Sequence, residues 1–127
     1  MYGFSKTLDC DVETAVGRVT EALAGEGFGV LTEIDVQATL KKKLNLDKRP
    51  YRILGACNPA LANQALDADP DIGLLLPCNV VVREEENGDT TVAFMDPAAV
   101  LGLVNLPAVS ELGMQVRDKL QRVRDAL

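Results

Sequence analysis

The chain has 127 residues, enough for one domain that buries about two-thirds of its unfolded surface without disulfide or metal staples. Its net charge of −6 argues against a nucleic-acid partner, because that binding draws mainly on phosphate neutralisation. The absence of histidine removes Ser-His-Asp and Cys-His nucleophile activation, imidazole acid–base catalysis and nearly all zinc and non-haem iron sites.

There is no tryptophan and little tyrosine or phenylalanine, so stacking platforms for bases are poorly supplied. The longest apolar runs, such as Ile72 to Leu76, fall far short of a membrane span. The opening MYGFSKTLDCD lacks a basic head followed by an apolar stretch, so no secretory signal is expected. Three cysteines without a framework spacing read as reduced thiols in a cytoplasmic protein. Charge is unevenly spread: Lys41, Lys42, Lys43, Lys48, Arg49 and Arg52 face only Asp47 within residues 41–52. That local balance of +5 leaves −11 for the remainder. The basic segment is either a solvated helix end and loop or a patch presented to an anion or to the acidic face of a second copy.

In chain order, Tyr2, Phe4 and Leu8 alternate on one face of an expected first strand, with Lys6 as the exception. Asp9 or Asp11 is suited to cap the helix that follows. In it Val12, Val16, Val19 and Leu23 recur at helical spacing, and Gly25 or Gly27 ends it. Phe28, Val30, Thr32 and Ile34 alternate as a second strand, and Val36, Leu40 and Leu44 suggest a short basic helix before Pro50. Tyr51 to Ala56 reads as a third strand. Asn58-Pro59 is a helix start, a cap residue followed by proline at the first helical position. That helix must stop before Pro70. Gly73 to Leu76 and then Val80 to Glu85 read as strand interrupted by Pro77. Asn87-Gly88 is a hairpin turn, returning through Thr90 to Met95. Asp96-Pro97 opens a short helix and Pro107 the last one, where Val109, Leu112, Val116, Leu120, Val123 and Leu127 form a stripe. Strands this few and hairpin-like do not build a doubly wound parallel sheet. The expected architecture is α+β, one two-layer domain over residues 1–127 with an antiparallel sheet and helices packed on one face.

The string RPYRILGACNPALANQAL, followed by IGLLLPCNVVV and then by MDP at Met95 to Pro97, closely resembles domain-of-unknown-function family 302. The lead-in EGFGVLTEIDVQATLKKKL resembles that family's opening, and the similarity runs over essentially the whole chain. The resemblance implies a domain of the TATA-box-binding-protein-like class, β-α-β-β-β-β-α in outline with extra short helices, often homodimeric, and no established activity. The family's characteristic residues fall on Pro50, Tyr51, Leu54, Gly55, Cys57, Asn58, Pro59, Pro77, Cys78, Asn79, Asp96 and Pro97. The fold label does not imply DNA binding, since folds host unrelated functions.

Cys57 precedes a helix N-terminus, where amide donors and the helix dipole favour a thiolate. Cys78 follows Pro77 at a strand entry. With Asn58 and Asn79 beside them, the two thiols are candidates for a reversible disulfide or for a two-thiolate site taking a soft ion such as Cu(I). The alternative, which the sequence alone favours, is two small buried apolar residues, with Asn58 a helix cap and Asn79 a turn residue. Tyr51 with Arg49 and Arg52 either holds an anionic ligand or flanks a strand and pairs with surface acids. Glu84, Glu85 and Glu86 read as an exposed strand end.

Three functions remain open. The first is a non-catalytic binding or accessory homodimer with a small-molecule or protein partner, without cofactor, nucleic acid or membrane. The second is a thiol-based redox or soft-metal protein using Cys57 and Cys78. The third is a hydrolase or transferase with carboxylates as its only acid–base groups, the weakest because no carboxylate pair has a suggestive spacing.

Overall fold

Apolar residues of one parity along the strands are buried together, and this pins one face of a sheet against helices. The computed structural model describes residues 1–127. Strands β1 (Gly3–Leu8), β2 (Gly29–Asp35), β3 (Tyr51–Cys57), β4 (Cys78–Glu84) and β5 (Thr90–Met95) form one sheet in the order β1-β5-β4-β3-β2. Every neighbouring pair is antiparallel. The helices are α1 (Val12–Gly25), α2 (Val36–Leu44), α3 (Pro59–Ala68), α4 (Pro97–Leu101) and α5 (Pro107–Asp125), with a 3-10 turn at Pro70–Leu75.

Leu54, Ala56, Val80, Val82, Val92 and Phe94 of the sheet pack against Ala15, Val19 and Leu23 of α1 and Val116, Leu120 and Val123 of α5. Each large side chain buried there contributes about 1.5–3 kcal/mol of transfer free energy. A smaller cluster of Ala65, Ile72, Leu101, Val109 and Leu112 lies beneath α3, the 3-10 turn and α4. Gly113 permits the closest helix approach, since a Cβ there would lie 2.9 Å from the carbonyl oxygen of Pro97. On the opposite face of the sheet, Ile34, Ile53, Val81 and Ala93 stand opposite one another across four strands and belong to neither cluster. The domain is therefore α+β, with a five-stranded antiparallel sheet and its packed helices on one side. No helix is long and apolar enough to cross a membrane.

The caps expected at Asp11, Asn58 and Asp96 are all made, each side chain accepting a first-turn N–H. Three expectations are corrected. Tyr2 lies outside β1 and is exposed, and Lys6 shares the covered face with Phe4 and Leu8 by donating to the terminal carbonyl of Leu127. Gly73 to Leu75 belongs to the 3-10 turn, which Asp69 caps through the Asp71 N–H, so β4 begins only at Cys78. In β2 the register shifts between Val30 and Thr32, a bulge at Leu31. Val30 faces the helices, opposite Ala56, but Thr32 and Ile34 turn to the uncovered face, opposite Gly55 and Ile53.

Candidate functional site

The antiparallel register of β3 and β4 sorts the six candidate residues into two groups. Ala56 stands opposite Cys78, which brings Cys57 and Asn58 near Cys78 at one end, while Tyr51 and Arg52 stand opposite Arg83 and Val82 at the other. Five residues of extended strand separate the groups by about 17 Å.

At the first end the chain leaves β3 and enters α3 through Asn58-Pro59. Asn58 Oδ1 accepts the N–H of Leu61 at 3.3 Å, and its Nδ2 lies 3.5 Å from the carbonyl oxygen of Glu26. Gly27, at φ +83°, passes so close that a Cβ there would sit 3.1 Å from Asn58 Nδ2. Asn58 therefore caps α3 and fastens it to the turn leaving α1. Gly55 serves a similar fit, since a Cβ there would fall 2.3 Å from Thr32 Oγ1 and 2.9 Å from Pro77 Cγ. The Leu76–Pro77 peptide bond is cis.

Between these strand ends and the helices lies a small cavity of about 30 Å³. Cys57, Asn58, Pro77 and Cys78 line one side, with Leu61 and Ala65 of α3 beside them. Leu101, Leu112 and Val116 close the other side. No charged side chain reaches it. The volume suffices for a water or two, or for a small apolar group. Cys78 is buried, and its thiol is pushed up to about 11 by that burial first and by neighbouring Cys57 second. All three cysteines are unpaired. No group of three or more His, Cys, Asp or Glu side chains is arranged to hold a metal ion. Asn79 does not join this site. It is an exposed strand residue opposite Gly55, not a turn residue, and lies on the uncovered face.

The other end is ionic. Arg52 donates to Glu33 at 2.6 Å and to Glu13 at 2.7 Å, with Asp35 at 3.8 Å. These bonds, Glu33 first and Glu13 second, raise the affinity of the guanidinium for its proton. Arg49 lies 3.8 Å from Glu86. Arg52 thus meets acids of its own chain, and Tyr51 beside it is half-buried. The bulge at Leu31 is the cause, because it turns Glu33 and Asp35 to the face that Arg52 occupies. Glu13, Glu33 and Asp35 were not singled out by the sequence. The signal available was two acids two apart in a strand preceding a lone strand arginine. The cavity residues Leu101, Leu112 and Val116 read only as core.

Comparison with known proteins bears on the chain as a whole. The family model "Domain of unknown function DUF302" matches residues 4–127. A crystal structure of an uncharacterized conserved DUF302 protein from Bacillus stearothermophilus superimposes with a TM-score of 0.92 at 32% identity, covering 99% of this chain and 98% of that one. No curated protein matches. With the match spanning nearly its whole length, the chain belongs to the DUF302 family.

Proposed function

We propose that this protein is a non-catalytic binding or accessory domain that works as a homodimer and receives a small apolar group in the cavity at the Cys57–Cys78 end of the sheet. One observation supports this reading above the others: the cavity that brings together Cys57, Asn58, Pro77 and Cys78 is lined by apolar side chains, two thiols and one amide, and by no acid–base pair. Catalysis by proton transfer needs a group within hydrogen-bond reach whose pKa lies near the operating pH, and no His, carboxylate or amine lines this cavity. The Asn58 amide is already committed to the α3 cap. The element order, β-α-β4-α with short helices inserted, supports placing the domain in the TATA-box-binding-protein-like class. Three unpaired cysteines support a cytoplasmic location.

The test is a titration of the full chain with short aliphatic alcohols, followed by amide chemical shifts. Saturable shifts confined to Ala56, Cys57, Asn58 and Leu101 are expected. Shifts that scatter over the surface without saturating would remove the ligand reading.

A second reading, thiol-based redox or Cu(I) chemistry, is favoured by one fact, that both thiols line the same cavity. The raised thiol of Cys78 opposes it, because the thiolate is the nucleophile and the ligand. Rapid alkylation of Cys78 at neutral pH would restore it.

A further inference from the structure

Helix α2 is the only α-helix of the molecule without a buried residue. Leu44 is 63% exposed, and Leu46 in the following loop is 43% exposed. Lys41 is paired with Asp47 and Arg49 with Glu86, but Lys42, Lys43 and Lys48 have no carboxylate within ion-pair distance. Its packing within the chain is limited to the start of β3, with Val36, Gln37 and Leu40 half-buried, although most helical stability comes from packing.

A second surface has the complementary character. Over the smaller core cluster, Leu74 is 85% exposed, Leu103 78%, and Leu66 and Leu106 40% each. Asp67, Asp71 and Glu111 stand on the same elements without an ion-pair partner. No lysine or arginine lies between Arg52 and Arg83, nor between Arg83 and Arg117, so α3, the 3-10 turn, α4 and the first half of α5 carry no cation of their own. Exposed leucines rimmed by uncompensated charge mark an association surface rather than an ordinary solvated face.

The two surfaces lie at opposite ends of β3, since α2 leads into its start and α3 leaves its end. A seven-residue strand holds them about 20 Å apart or more, so one chain cannot bring them together. We infer that the partner of each surface is a second copy of this chain. Helix α2 of one protomer docks on the acidic leucine surface of the other, and a two-fold axis repeats the contact reciprocally. This inference rests on the homodimer reading above and names its surface. The leucines supply the desolvated contact, while the lysines and carboxylates at the rim set the pairing and its salt dependence.

The experiment is sedimentation equilibrium on the full chain and on two folded variants, Lys42→Glu/Lys43→Glu/Lys48→Glu and Asp67→Lys/Asp71→Lys/Glu111→Lys. The wild type is expected to be a dimer whose dissociation constant rises about tenfold or more between about 0.05 and 0.5 M salt. Each variant opposes like charge to like charge at both contacts and is expected to be monomeric. An equimolar mixture restores both contacts and is expected to form a heterodimer. Leu74→Ser, which leaves every charge in place, is expected to weaken the wild-type dimer at all salt concentrations. A wild type that stays monomeric would overturn this interface and the homodimer reading together. A dimer indifferent to both charge reversals would overturn this interface alone.

Discussion

At the Cys57 end of β3 the side chains around the cavity carry no charge, whereas at the Tyr51 end one guanidinium meets three carboxylates. Both ends belong to the same pair of strands. The difference follows from what packs above them. At the Cys57 end α3, α4 and α5 close over β3 and β4 and leave only the small cavity between them. At the Tyr51 end α1 approaches only at its start, through Glu13, α2 brings no buried side chain, and the bulged edge strand β2 supplies the remaining acids. Burial controls which charges a site tolerates. The first end is therefore lined by apolar side chains around the buried, protonated Cys78 thiol, and the second is a surface ion-pair cluster already satisfied from within the chain.

The largest expected effect is at the apolar end. Leu101 is 4% exposed and spans the cavity wall and the smaller core cluster. Leu101→Ala removes its contacts and enlarges a void that α4 cannot fill by collapse, because Gly113 already lets α4 touch the α5 backbone. A loss of about 3 kcal/mol is expected in urea unfolding, with tighter binding of the longer alcohols. A loss under about 1 kcal/mol would mean that this end relaxes freely and that its closure is not what distinguishes it.

Next is the alkaline limb of stability. An unfolded cysteine has its ordinary pKa of 9.0, while folded Cys78 keeps its proton to about 11. Above pH 9 the unfolded state sheds a proton that the folded state retains. The stability linked to Cys78 is therefore fully present below pH 9 and falls as pH rises towards 11, by about 2 kcal/mol at the upper limit. Wild type and Cys78→Ala, compared across that window, are expected to converge as pH rises, and other alkaline titrations cancel in the difference. A gap that stays constant with pH would show that the thiol is as easily ionised as in water, and the thiolate reading would regain ground.

How much of this was legible depended on whether the signal was local. The helix starts at Asn58-Pro59 and Asp96-Pro97, the turn at Asn87-Gly88 and the stripe from Val109 to Val123 each state their geometry within a few residues, and each formed where expected. Asp69-Pro70 carries the same cap signature as Asn58-Pro59. The apolar run Gly73 to Leu76 outweighed it as a strand pattern, although three of those residues lie in the turn that Asp69 caps. The bulge at Leu31 carries no glycine or proline itself, and Gly29 two residues earlier reads as the end of the preceding turn. A strict two-residue alternation carried through it puts Glu33 and Asp35 on the wrong face, away from Arg52. The cavity was visible only as the dipeptides on one of its walls, since its other walls are ordinary core residues brought from far along the chain.

The smallest expected effect is at the ionic end, and there the shape of the response matters more than its size. Exposed ion pairs contribute about 0.2–1 kcal/mol each, and Arg52 is only 23% exposed while its partners are more open. Arg52→Gln keeps the stem packed on the sheet and one hydrogen-bond donor in place, so a loss of about 1 kcal/mol is expected. Most of that loss is repulsion among Glu13, Glu33 and Asp35 once their common cation is gone. Added salt screens such repulsion, so the variant should recover towards wild type as ionic strength rises to about 1 M. Leu101→Ala should show no such specific recovery, because a cavity has no charge to screen. Parallel salt responses in the two variants would mean that Arg52 acts through the packing of its stem, and the two ends of β3 would then differ in degree rather than in kind.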